Sequence, residues 1–356
     1  MTVLVVRPDG MGDVLLTGPA VRAVAASGAE VTFLAGPAGA AAAALLPGVT
    51  TVLTSQVAWI APDPGPFDPA AVRALAGQVR AVNPAAALIF TSFHQSPLPM
   101  ALVLRMAGVP RIAAISVDYP GSLLDVRHRL DDDVPEAERN LALARAAGYS
   151  LPSGDAGRLA VSSPRPEVTE LTGLPGMTGL AGGRYVVVHA RASVPARAPS
   201  AGRVAAMVGA LARAGHRVVV TGSAAEAPVV SAVCQRAGAP GVVDLSGRTS
   251  LRTLAAVLAG ADVVVAPNTG AAHLAAAVGT PVVSLFAPVV PAARWAPYGV
   301  PHRLLGRPDA ACAGTRARVC PVRGHPCLDT IEPGEVVAAV AELVGAAVSA
   351  PVGVAR

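Results

Sequence analysis

The chain has 356 residues, 53% of them hydrophobic, 14% charged and 3% aromatic, and its net charge of +5 rests on arginine alone because no lysine occurs. That length allows two domains of ordinary size, each able to bury its own core. The charge forms no dense basic cluster and the few aromatic residues offer no stacking platform, which argues against nucleic acid as a partner, while no unbroken apolar run reaches the roughly 20 residues of a membrane span.

Residues 2–7, TVLVVR, have no basic region before them and end on Arg7 after a short apolar run, so they predict a first β-strand rather than a signal peptide and a chain that stays in the cytoplasm, with at most peripheral membrane contact. Gly10-Met11-Gly12 follows, but the next glycine is Gly18, which disfavours a dinucleotide fingerprint. Asp13 falls where strand hands over to helix. Two roles stand for it on sequence alone, an N-cap and a general base.

Further strands are predicted at 30–34, 51–54, 86–91 and 111–116, then a helix at 135–148 with Glu136, Glu138 and Arg139 on its solvent side. A Pro-, Ser- and Gly-rich stretch at 149–183 holds the interdomain linker. The same rhythm restarts with a strand at 184–190, a helix at 200–214, a strand at 217–221, a helix at 226–237 and strands at 241–244 and 261–266. This alternation predicts an α/β fold of two doubly wound domains, 1–165 and 166–335, followed by a terminal segment 336–356.

Asn268-Thr269-Gly270-Ala271 joins the strand at 261–266 to an Ala-rich helix at 271–278, stopped by Gly279 and Pro281. The first amides of such a helix have no helical partner and its dipole presents about half a positive charge, so a phosphate fits there. His273, one turn in, either faces that site or packs in the core.

Of the four cysteines, Cys234 reads as a small apolar packing residue. Cys312, Cys320 and Cys327 share a loop with His325; the set has the ligand count for zinc but lacks tight Cys-x-x-Cys pairs, so unlinked loop thiols are preferred over zinc or a disulfide.

Two motifs carry a resemblance. The segment from Asn268 through Pro281, with Val282-Val283-Ser284-Leu285-Phe286-Ala287-Pro288 and Arg294-Trp295-Ala296-Pro297-Tyr298-Gly299 after it, resembles the ADP-heptose:lipopolysaccharide heptosyltransferases, glycosyltransferase family nine. Arg7-Pro8-Asp9-Gly10-Met11-Gly12-Asp13 is similar to that family's amino-terminal loop, and Gly247-Arg248-Thr249-Ser250-Leu251 extends the likeness. The resemblance implies the GT-B architecture, two Rossmann-like domains facing a central crevice, with the terminal helix at 333–349 crossing back to brace the first domain.

It further implies Asp13 as catalytic base, and a donor nucleotide held by Arg191, Ser193, Arg197, Glu226, Asn268, Thr269, Gly270, Ala271 and His273. Acceptor contacts are expected from Asp9, Gly12, Ser92, His94, Gln95 and Asp118, on loops at the ends of first-domain strands. The chain departs from the family twice: Ala196 stands where a pyrophosphate-binding lysine is expected, leaving Arg191 or Arg197 to supply a cation, and Asn268 replaces a frequent Asp. Glu226 is expected at the ribose hydroxyls, with first-turn helix stabilisation as its other reading.

The expected activity is inverting, metal-independent glycosyl transfer without a cofactor, from a nucleotide sugar such as ADP-heptose to a glycan or small-molecule acceptor. An epimerase or hydrolase of the same architecture, or a module that binds sugar nucleotides without turnover, are the alternatives.

Overall fold

The computed structural model describes residues 1–61, 64–130, 133–162, 173, 176–177 and 184–349. The chain divides into two compact units, Met1–Ser162 and Ser163–Arg356. The linker expected at 149–183 and the boundary expected at 165 lie partly or wholly outside the described residues.

In the first unit, β1 (Thr2–Arg7), β2 (Glu30–Ala35), β3 (Val49–Thr54), β4 (Ala86–Ile89), β5 (Ile112–Ile115) and β6 (Val126–His128) form one sheet in the order β3-β2-β1-β4-β5-β6. All its pairs are parallel, with Val3 opposite Val31 on one side and Ala86 on the other. Such strands are covered on both faces and therefore read as continuous apolar runs, as TVLVV in β1 does. The crossovers include α1 (Met11–Leu16), α2 (Gly18–Ala25), α3 (Ala40–Ala43), α4 (Pro69–Val82), α5 (Leu98–Met106) and α6 (Glu136–Ala146). One core cluster joins Leu4, Val6, Val79, Ile89, Leu104 and Ile112.

The second unit repeats the plan. Its strands β7 (Val186–His189), β8 (Val218–Thr221), β9 (Val242–Asp244), β10 (Val263–Pro267), β11 (Val282–Leu285) and β12 (His302–Leu305) run in the order β12-β11-β10-β7-β8-β9, again all parallel. Its helices include α7 (Ala201–Arg213), α8 (Ala227–Ala237), α9 (Leu251–Ala259), α10 (Gly270–Ala277), α11 (Ala292–Trp295), α12 (Pro326–Asp329) and α13 (Pro333–Ser349). Ser200 and Ser250 cap α7 and α9, accepting from Arg203 N at 3.3 Å and Thr253 N at 3.1 Å.

The terminal helix α13 packs on α7, β10, β11 and β12, and its Val336, Val340 and Leu343 belong to the second unit's core. Two expectations need correction. Sequence reading missed β11 and the edge strands β6 and β12, and the short runs VRH and HRLL of the two edges carry arginine and histidine in place of an apolar pattern. Glu136 and Arg139, expected on the solvent side of α6, are buried at 0% and 6% exposure; only Glu138 is exposed. Among the described residues, no helix is long and apolar enough to cross a membrane.

Candidate active site

In each sheet the strand order reverses beside the first strand, between β1 and β4 in one unit and β7 and β10 in the other. Loops at the carboxyl ends of such neighbours diverge and leave room for a ligand. Most of the predicted site residues fall on these loops, while Asp118 follows β5 and Glu226 follows β8.

In the first unit β1 ends on Arg7, a charged residue with 0% exposure. An isolated buried guanidinium is costly, and the fold meets it with acids from three places. Arg7 Nε lies 2.8 Å from Asp9 Oδ2, Nη2 lies 2.8 Å from Asp13 Oδ1 and donates to Ser92 Oγ at 3.0 Å, and Nη1 lies 3.8 Å from Glu136 Oε2. Burial works against the Arg7 charge, but Asp9, Asp13 and Glu136 outweigh it and hold its pKa above the ordinary value.

The three acids differ in access. The side chains of Glu136 and Asp9 are 0% and 9% exposed, whereas that of Asp13 is 28% exposed, so among these carboxylates Asp13 is the one open to a substrate. Asp13 is not the N-cap: Gly10 is, and Asp13 sits in the first turn of α1 with its carboxylate on Arg7 and its backbone carbonyl accepting from the Thr17 hydroxyl at 2.9 Å. Gly12 precedes it in the same turn.

Asp9 is pushed towards its neutral form, chiefly by burial, against the opposing pull of Arg7. It also accepts from Gln95 Nε2 at 2.7 Å, while Gln95 Oε1 accepts from the Ser92 amide at 2.9 Å. The structure thus brings Asp9, Asp13, Ser92 and Gln95 into one network. His94 and Asp118 are exposed on the neighbouring loops, His94 edge-on to Phe93 at 5.4 Å and Asp118 accepting from Ser96 Oγ at 3.1 Å.

Beside this network is a cavity of about 540 Å³ lined by Phe93, Gln95, Ser116, Arg129 and Arg139, among others. Sequence reading missed Arg7, Glu136, Arg129 and Arg139. The signal for Arg7 was present, an arginine closing an otherwise apolar strand whose next residues are acidic. The two cavity arginines come from a loop and a helix that follow β6, apart in sequence from Phe93 and Gln95, and nothing local marks them.

In the second unit β10 runs into Asn268, buried at 3% exposure, whose Nδ2 has no hydrogen-bond partner among the described residues. Thr269 is the extended N-cap of α10 but its hydroxyl makes no cap bond, so the amides that open α10 at Gly270 and Ala271 keep no capping side chain. A buried amide donor and an uncapped helix start together suit an anion. His273 is buried, at 3% exposure, in the first turns of the helix.

The loop after β7 supplies Arg191 and Arg197, both partly buried, and the exposed Ser193. Ala196 lies in a short 3-10 turn (Pro195–Arg197), is 1% exposed and is held by its backbone, its N–H donating to the Arg318 carbonyl at 2.9 Å and its carbonyl accepting from His325 Nε2 at 3.1 Å. His189, at the end of β7, shares a 3.0 Å hydrogen bond with Thr221 Oγ1 on β8, and burial lowers its pKa against the opposing charge of Glu226.

Glu226 Oε2 accepts from both the amide and the hydroxyl of Ser223 at 2.8 Å, closing a capping box at the start of the helical segment before α8. The helix-stabilising role is therefore filled by one carboxylate oxygen. Cys312 and Cys327 are buried in the second unit's core with Cys320 packed against it, all three as free thiols, and burial followed by the neighbouring Cys312 and Cys320 pushes Cys327 up to about 12. Among the described residues no group of His, Cys, Asp or Glu is arranged to hold a metal ion.

The sequence model for glycosyltransferase family 9 (heptosyltransferase) matches residues 93–325. A comparison with curated proteins gives no significant match. Among solved structures, the chain is similar to E. coli ADP-heptose lps heptosyltransferase II, with 18% identity and a TM-score of 0.72, covering 98% of this chain and 100% of that one. It is likewise similar to a family 9 glycosyl transferase from Veillonella parvula DSM 2008, at 15% identity, TM-score 0.77 and 97% coverage of both chains. The E. coli heptosyltransferase WaaC, solved with ADP-2-deoxy-2-fluoro heptose, aligns at 22% identity with a TM-score of 0.69 over 96% of this chain and 99% of that one. These likenesses establish the GT-B fold.

Proposed function

The chain belongs to glycosyltransferase family 9, and from that premise we propose that it transfers a heptose from ADP-heptose to an acceptor hydroxyl, with inversion, in the cytoplasm and without a metal. Asp13 takes the proton of the acceptor hydroxyl as that oxygen forms its bond to the anomeric carbon. The bond from that carbon to the diphosphate breaks, and ADP leaves with the electron pair. Inversion turns a β-linked donor into an α-linked product.

The observation that carries this reading is the access of Asp13 within the Arg7 cluster: it is the acid of that cluster open to substrate, and it is held in place by a fixed cation. A general base contributes roughly two to four orders of magnitude. In the second unit, the uncapped amides opening α10 and the Asn268 Nδ2, which has no hydrogen-bond partner among the described residues, suit the charge that develops on the diphosphate. Arg191 or Arg197 supplies the cation that a lysine provides elsewhere in the family, and the Glu226 oxygen not engaged by Ser223 is available to ribose hydroxyls.

On the acceptor side, Gln95 joins the network to the cavity lined by Arg129 and Arg139, whose chemistry suits a polar acceptor such as a cell-envelope glycan or a secondary metabolite. Thermal shift against a panel of nucleotides and nucleotide sugars tests the donor, because a ligand bound only by the native state raises its stability by mass action. ADP and ADP-heptose are expected to raise Tm more than UDP or GDP compounds. A preference for UDP overturns the donor assignment, and mass spectrometry of products formed with cell-extract acceptors then identifies what is made.

A further inference from the structure

We propose that Glu136 is a positioning residue for the transfer reaction, acting on Asp13 through Arg7; this rests on the reading of Asp13 as the base. Each nitrogen of the Arg7 guanidinium faces a carboxylate: Nε lies 2.8 Å from Asp9, Nη2 lies 2.8 Å from Asp13, and Nη1 lies 3.8 Å from Glu136, an ion pair rather than a hydrogen bond. A planar fork with negative charge at every edge favours one orientation. Glu136 supplies the charge at the third edge. It comes from a different part of the chain, α6, and it is fully buried, so it cannot itself meet a substrate.

The helix that carries Glu136 is anchored to the segment carrying Asp13. Asn140, one turn further along α6, donates from Nδ2 to the Leu16 carbonyl at 3.2 Å, at the end of α1, and α6 packs on both α1 and α2. Glu136, Arg7 and Asp13 therefore form a closed mechanical loop: α6 to α1 through Asn140 and backbone, and α6 to Asp13 through two ion pairs. The fully buried Arg7 charge helps to offset the cost of burying a carboxylate at this depth. The loop fixes where the Asp13 oxygen points, and positioning errors near 1 Å cost about a hundredfold in rate.

The test is a double-mutant cycle on the full chain, following ADP release from ADP-heptose with the acceptor preparation and, separately, ADP affinity and Tm. Glu136→Gln keeps the shape and removes the charge; Arg7→Lys keeps a cation and removes the fork. We expect Glu136→Gln to lower kcat by between about tenfold and a hundredfold with KM and ADP affinity unchanged. In the Arg7→Lys background the same change should add almost nothing, because residues acting through one another are not additive.

Should Glu136→Gln fail to fold, Glu136→Asp, which retains the charge at a longer reach, gives the same cycle. Wild-type kcat in a folded Glu136 variant, or losses that multiply in the double variant, overturns the proposal. Asp13→Asn separates the two levels: if that variant still transfers at the wild-type rate, the reading of the base fails and this inference with it. If Asp13→Asn is inactive while Glu136→Gln is unaffected, this inference alone fails.

Discussion

Arg7 Nη2 stands 2.8 Å from Asp13 Oδ1, which ties the one solvent-reachable acid of the amino-terminal cluster to a guanidinium with no exposure of its own. The partnership gives the acid a fixed direction, and it frees Asp13 from capping duty because Gly10 begins the helix.

Asp13→Asn is therefore expected to fold and to bind ADP normally while losing roughly two to four orders of magnitude in turnover, the usual worth of a general base. Melting temperature, ADP affinity and transfer rate on this single variant decide the matter. Transfer near the wild-type rate eliminates the base.

The start of α10 makes a different prediction. Thr269→Ser keeps a small polar N-cap, whereas Gly270→Val sets a β-branched side chain over the amides a phosphate must approach. ADP should bind the first variant nearly as well as the parent and the second at least about tenfold more weakly, since losing hydrogen bonds to a charged group costs about 1.5–3 kcal/mol. Equal affinities measured by calorimetry remove the diphosphate from this helix.

Acid stability should follow His189. Burial holds its pKa below the ordinary histidine value, so as pH falls through about 6.5 the unfolded chain takes up a proton that the folded chain refuses. Its contribution is complete above that pH and declines below it, with a slope of at most about 1.4 kcal/mol per pH unit for one proton. His128, lowered by burial and by Arg139, adds in the same direction. Thermal melts between about pH 7 and pH 5 should show Tm dropping, and His189→Asn should flatten the slope. An unchanged slope in that variant assigns the acid sensitivity elsewhere.

Transfer should also persist in EDTA, because in the proposed mechanism helix amides, Asn268 and arginine take the place of a metal at the diphosphate. Activity abolished by the chelator and restored by magnesium or manganese contradicts the metal-free mechanism.

The architecture could be read from the sequence because its main signals are local. A central parallel strand announces itself as an apolar run, and β1, β7 and β10 do so. The turn at Thr269-Gly270 was readable for the same reason, since strand, small polar turn and Ala-rich helix follow one another directly. What escaped was held together over distance. Glu136 looks like any first-turn acid of an exposed helix until Arg7, 129 positions earlier, is seen beneath it. The Arg129 and Arg139 side chains become a cavity wall only once β4, β5 and β6 bring their loops side by side. The edge strands β6 and β12 were silent because an edge has no second partner to cover it and can carry charge.

Ala196 bears on which substitutions this site accepts. Its methyl group is sealed into the second unit's core, and its backbone is fastened on both sides, to Arg318 and to His325. The side chain is part of the wall behind the loop rather than of its surface. A substitution to lysine would drive an ammonium group into apolar packing or tear the turn loose. Donor affinity is therefore open to adjustment through the arginines at 191 and 197, whereas a lysine at 196 first requires loosening the backbone that Arg318 and His325 hold.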